Sequence, residues 1–155
     1  MPHISKGGKY IFGWSKIRDN GEVLIPNEAV REYHLEVNEK VFLISGSKAT
    51  GGFAVAKKEY LEQSEIGQVL KENPKLAEFQ IDEGRAVKSK GRLYCWVSVH
   101  DKGVLALPLS TRQAFAIKPD AFLLSIRGSD VAFVMGVKGP IIETAKKHPE
   151  ILVFE

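Results

Sequence analysis

The chain has 155 residues, of which 44% are hydrophobic and 26% charged, with a net charge of +3. This describes a soluble globular protein long enough for one ordinary domain or two small ones; the lone Cys95 excludes a disulfide framework and agrees with a reducing compartment. No stretch approaches the roughly 20 apolar residues of a spanning helix, and the first residues lack a signal peptide's apolar segment, so a cytoplasmic protein with no membrane association is expected.

Residues 10–17 are rich in aromatic and β-branched side chains, which favours a strand. Asp19-Asn20-Gly21 supplies turn chemistry, because Asp bonds nearby backbone and glycine accepts positive φ. Residues 23–25 read as a second short strand, ended by Pro26, which has no N–H for a ladder. Asn27 is expected to cap a short helix over 29–33, closed by His34. A hairpin pairs 41–45 with 53–56, and a longer helix spans 59–72. The order then runs again: strand 92–99, turn Asp101-Lys102-Gly103, strand 104–107 and Pro108. Ser110 is the expected cap of a helix over 111–115, closed by Ala116. The turn Lys118-Pro119-Asp120 leads to a hairpin of 122–126 with 131–137 and a shorter helix over 141–147.

The recurrence is in register. Trp14, Asp19, Gly21 and Pro26 stand 82 positions before Trp96, Asp101, Gly103 and Pro108, and these are the chain's two tryptophans. Self-similarity of this kind implies a duplicated unit, here 1–81 and 82–155 with the join near Asp82-Glu83-Gly84. Four short strands bury little alone. Two co-folded units would share one core and cover each other's edges.

Gly21, Val23, Ile25, Pro26 and Leu35, with Gly103, Leu105, Leu107, Pro108, Phe115, Ile117 and Asp120 in the second copy, carry a family pattern. Through them the chain resembles the AbrB/SpoVT-like swapped-hairpin barrel proteins, and its tandem units are similar to the MraZ branch. The resemblance implies a mainly β (α+β) fold: two tandem AbrB-like swapped-hairpin units forming a pseudo-two-fold β-barrel, each followed by a helix. It implies a DNA-binding transcriptional regulator, not an enzyme, with no cofactor. Double-stranded DNA is the expected partner, with further copies of the chain or another protein beside it. The alternative is a protein-interaction or scaffold module on the same barrel that has lost DNA binding. That alternative is motivated by Glu22 and Val104, which stand where the family carries an arginine after the turn glycine. The later family arginines fall at Val30 and Arg31 in one copy and at Arg112 and Gln113 in the other.

The candidate DNA-binding residues are Lys16, Arg18, Arg31, Lys102 and Arg112, extended by Lys90 and Arg92 near the join; arginine and lysine contact phosphate, and arginine also reads guanine edges. Residues 1–80 balance 11 basic against 11 acidic side chains, whereas 81–155 hold 11 against 8. Glu22, Glu28, Glu32 and Asp101 oppose the basic face. Trp14 and Trp96 are expected as paired core residues, and Cys95 as an inert buried thiol. His3, His34, His100 and His148 lack metal-ligand spacing. Gly7-Gly8 and Gly51-Gly52 read as loops, because no phosphate-loop frame surrounds them. No nucleophile–base or paired-carboxylate set recurs in both units.

Overall fold

The computed structural model describes residues 10–155; His3 and Gly7-Gly8 lie outside the described residues. The first half runs β1 (Ile11–Lys16), β2 (Glu22–Leu24), α1 (Asn27–Glu32), β3 (Lys40–Ser45), β4 (Phe53–Lys57), α2 (Lys58–Leu61), α3 (Gly67–Glu72) and α4 (Pro74–Ala77). The second runs β5 (Val87–Ser89), β6 (Arg92–His100), a 3-10 turn (Asp101–Gly103), β7 (Val104–Ala106), α5 (Leu109–Ala114), β8 (Phe122–Arg127), β9 (Ala132–Gly136), α6 (Pro140–Ala145) and β10 (Val153–Phe154).

Ten strands form one mixed sheet, in the order β10-β1-β8-β9-β4-β3-β6-β7-β2, with β5 added beside β6. It curls into a nearly closed barrel. Where β1 turns into β2, Arg18 N–H donates to Glu22 O at 2.9 Å, and Ser15 Oγ donates to Leu24 O at 2.6 Å. The pairing crosses between halves. β1 lies antiparallel to β8, and β3 antiparallel to β6. β2 pairs with β7, and β4 with β9.

Alternation along the strands sends side chains to one inner core and two outer ones. Val41, Leu43, Val55, Cys95, Val97, Val99, Phe12 and Leu123 point into the barrel, with Val23, Leu105 and Phe133. Phe42, Ile44, Tyr94 and Trp96 point outward and are roofed by Leu61, Val69, Leu70 and Leu76 of α2–α4. Ile11, Leu124 and Ile126 point outward on the other side, where Ile142 and Ala145 of α6 and Ile151 cover them. A register shift between Ile11 and Gly13 lets Ile11 and Trp14, three residues apart, share that outer face.

The two tryptophans are therefore not paired. Trp96 is 8% exposed beneath α2–α4, and its Nε1–H donates to Ile81 O at 2.8 Å. Trp14 is half-buried beside the single helix α6, in an apolar groove of about 450 Å³ that Phe122, Ile142, Ile151 and Val153 also line. Two outer cores, in which each tryptophan lies under helices of the other half, replace the expected single tryptophan contact.

The expected caps differ too. Pro26 and Pro108 hold the N-cap positions with no side-chain cap bond, so Asn27 and Ser110 lie inside the first turn. Pro26 O accepts from Ala29 and Val30 N–H at 3.0 and 3.2 Å. Thr111 Oγ1 instead reaches Gly84 O at 2.6 Å, pinning α5 to the join. The continuous helix expected over 59–72 breaks, because Ser64 Oγ donates to Leu61 O at 2.8 Å and accepts from Ile66 N–H at 3.2 Å. Local side-chain bonds of this kind compete with the helical ladder.

Both short helices end alike. His34 (φ 54°) and Ala116 (φ 56°) adopt left-handed backbone. Leu35 N–H returns to Val30 O and Ile117 N–H to Arg112 O, at 3.0 and 2.8 Å, which completes Schellman-type ends. An alanine there carries the steric cost of a Cβ in that region. Gly21 (φ 87°) leaves no room for a Cβ, which would collide with Leu107 O. Ala116→Gly should therefore raise stability by about 0.5–1 kcal/mol, and Gly21→Ala should lower it by more than about 1 kcal/mol. Urea unfolding midpoints check both signs.

Candidate nucleic-acid interface

The β2–β7 ribbon lies where the two halves meet. Glu22 faces Ala106, Val23 faces Leu105 and Leu24 faces Val104. Leu107 N–H donates to Gly21 O at 3.0 Å and Ile25 N–H to Gly103 O at 2.9 Å, so each turn glycine continues the ribbon. Val23 and Leu105 are fully buried, which turns Glu22, Leu24, Val104 and Ala106 to the opposite face, where they are half-buried. Two lobes flank the ribbon. One combines the turn at residues 18–21 with α5, the other the turn at 100–103 with α1.

In the first lobe the cations are engaged. Arg18 Nη1 lies 2.9 Å from Glu22 Oε1. Glu22 N–H donates to Asn20 Oδ1 at 3.0 Å. The Arg18 hydrogen bond, then that of Asn20, holds the Glu22 carboxyl below the usual glutamate range, and the nearby His100 acts in the same direction. Arg112 is half-buried; its Nε–H donates to Leu107 O at 3.0 Å, and its guanidinium packs against Gly21.

The second lobe is open. Arg31 and Lys102 are exposed and line a cleft of about 320 Å³ whose walls include Asn27, Val30, Leu35, Val37 and Val99. Val30 holds the position that Arg112 holds in the other half, and Gly103 packs against it with no guanidinium between. Among the described residues neither Arg31 nor Lys102 makes an ion pair. A neighbouring hollow of about 430 Å³ is lined by Arg18, Glu22, Asn38, His100, Asp101 and Val104.

The seven sequence candidates thus do not form one continuous face. Lys16 sits apart from the second lobe, its Nζ 5.9 Å from the Phe122 ring centre. Lys90 pairs with Glu72 at 3.5 Å. Arg92 begins β6 and His100 ends it, a separation of roughly 26 Å at the usual strand rise. Lys90 and Arg92 therefore do not extend the face at the ribbon. His100 does stand there and was not among the candidates; its signal in the sequence was its position, 82 residues after Arg18. Val30 matters as well, by being small where its counterpart is an arginine.

No group of three His, Cys, Asp or Glu side chains gathers in metal-binding geometry among the described residues. Cys95 is buried, and burial pushes its thiol up to about 12, which leaves almost no thiolate near neutral pH. No helix among the described residues is long and apolar enough to cross a membrane.

No family model matches the chain, and no curated protein does. Among solved structures it is similar to "The solution structure of PHS018 from pyrococcus horikoshii", at 11% identity over 84% of this chain and 97% of that one, with a TM-score of 0.37. A likeness at that score decides neither fold nor function.

The Arg18–Glu22 pair gives a direct test. A carboxyl held below its ordinary range stabilises the fold above that range and loses the contribution as pH falls through the lowered value. In an NMR titration Glu22 should protonate at lower pH than a free glutamate, and Arg18→Gln should move it back upward. Because both side chains are over a third exposed, the accompanying stability change should be small.

Proposed function

We propose that this chain is a DNA-binding transcriptional regulator of AbrB/SpoVT-like type, in which two tandem swapped-hairpin units act as an intramolecular pseudo-dimer. One observation carries the reading: β1 pairs with β8, β6 with β3, and β2 with β7, so positions 82 residues apart occupy equivalent places across the ribbon. A homodimer of such units would meet itself through the same contacts. The ribbon end combines two glycine turns and two short helices with Arg18, Arg31, Lys102, Arg112 and His100. Cations around a ribbon are suited to phosphates beside a groove, and β-ribbons are an established means of reading duplex DNA.

A second reading, a protein-interaction module on the same barrel, is supported by the groove at Trp14. Phe122 and Val153 there are 45% and 48% exposed, and neighbouring Leu152 is 60% exposed. Exposed apolar surface gathered in one place is a feature of interaction sites.

Fluorescence anisotropy with mixed-sequence duplex DNA separates the two. Binding at about 50 mM salt that weakens at least tenfold by about 200 mM is the expected result for a protein making several phosphate contacts. A folded protein that fails to bind at the lower salt would overturn the regulator reading and leave the interaction module.

A further inference from the structure

The two lobes beside the ribbon are equivalent by position and unlike in chemistry. In the lobe of α5, Arg18 is held by Glu22 at 2.9 Å, and Arg112 donates Nε–H to the Leu107 carbonyl at 3.0 Å while packing on Gly21. In the lobe of α1, each of those features is changed. Val104 replaces the acid, Lys102 stands where the other turn has Asn20, Arg31 stands where α5 has Gln113, and Val30 replaces the structural arginine. The last change leaves open the cleft of about 320 Å³, with two cations at its mouth and Val30, Leu35, Val37 and Val99 as apolar wall.

Such a cleft matches a nucleotide unit of a strand. Arg31 and Lys102 offer charge for the phosphate, and the valine and leucine wall offers apolar surface for the deoxyribose. The first lobe offers an approaching phosphate the Glu22 carboxylate beside Arg18, so the attraction and repulsion of that pair largely cancel.

Resting on the DNA-binding reading, we infer that recognition is one-sided: the Arg31–Lys102 cleft holds the DNA backbone, the Arg18–Glu22 lobe does not, and one chain therefore contacts an asymmetric site and not a palindrome. Glu22 acts as the element that keeps its lobe off the duplex. Two positions decide the sidedness, the acid at Glu22 and the small side chain at Val30.

The experiment compares four proteins on one mixed-sequence duplex by anisotropy across a salt series, with thermal melts confirming that each is folded. Arg31→Gln with Lys102→Gln should weaken binding at least tenfold at low salt and reduce the slope of log K against log salt by about 1.8, the value for two lost phosphate contacts. Arg18→Gln, which leaves the Glu22 carboxylate without its partner, should weaken binding by less than about threefold and leave the salt slope unchanged, because no phosphate contact is lost. Glu22→Gln should strengthen binding severalfold and steepen the slope by about 0.9, because it frees Arg18 for one added contact. Equal losses in the Arg18 and Arg31/Lys102 proteins, with wild-type binding intact, would overturn the one-sided arrangement while leaving DNA binding standing. Unchanged binding by Glu22→Gln would remove Glu22 from its assigned role and overturn the account of sidedness. Absence of wild-type binding at low salt would end both this inference and the reading on which it rests. The free deoxynucleoside monophosphate serves as the competing probe. If it displaces the duplex at micromolar concentration, the cleft is a small-molecule phosphate site and the inference fails.

Discussion

Everything in this molecule depends on β3 being paired on both sides, with β4 from its own half and β6 from the other. The arrangement of β8 between β9 and β1 is the same contact seen from the second half. A hairpin alone leaves one edge of each strand with unpaired N–H and C=O groups, and it is marginal in water. Crossing the first strand of each half onto the hairpin of the other satisfies those groups and places Val41, Leu43, Cys95 and Val97 in one interior. The β2–β7 ribbon follows from it, since each member is the continuation of a crossed strand. Its position, and so the position of both lobes, is a consequence of where β1 and β6 end.

The shared scaffold coexists with unequal outer surfaces. Twenty residues from Lys58 to Ala77 supply three short helices over one outer face, whereas the other has the single α6 and the short β10. Fully burying a large apolar side chain is worth about 1.5–3 kcal/mol. Phe42, Leu61 and Leu76 receive that in full, while Trp14 and Phe122 do so in part. The same inequality recurs at the ribbon, where Glu22 and Arg112 belong to one lobe only. The two halves share their strand pairing and differ most in what faces solvent.

Local chemistry was legible in the sequence. Glycine, aspartate and proline marked the turns at 19–21 and 101–103 and the strand ends at Pro26 and Pro108, because each acts through its own backbone. Strand positions were legible from apolar runs, yet the face each residue takes was not. When both faces of a strand are covered, as in β3 and β6, alternation no longer distinguishes inside from outside, and at β1 the shift between Ile11 and Gly13 changes the parity as well. Trp14 and Trp96, matched in sequence, therefore lie in different cores. Charge was legible by residue type, and the opposition of Glu22 to its neighbours could be read from its spacing to Arg18. The Arg112 bond to Leu107 and the break at Ser64 could not, since each depends on a side chain choosing a backbone acceptor over solvent. Lys90 and Arg92 adjoin the join in sequence, yet the length of β6 carries them away from the ribbon.

The crossed pairing also bears on how the molecule comes into being. β1 meets β8 through Trp14 and Leu124, and the contact spans most of the chain. Contacts so distant in sequence are slow to form, because the loop they close must be ordered first. During synthesis β3 and β4 emerge from the ribosome before β6 does. In that interval the edge of β3 and the apolar face around Phe42 and Ile44 have no partner from the second half. The N-terminal half is thus an unfinished sheet for as long as translation of β6 takes, and that is when the chain is most exposed to pairing with the wrong strand.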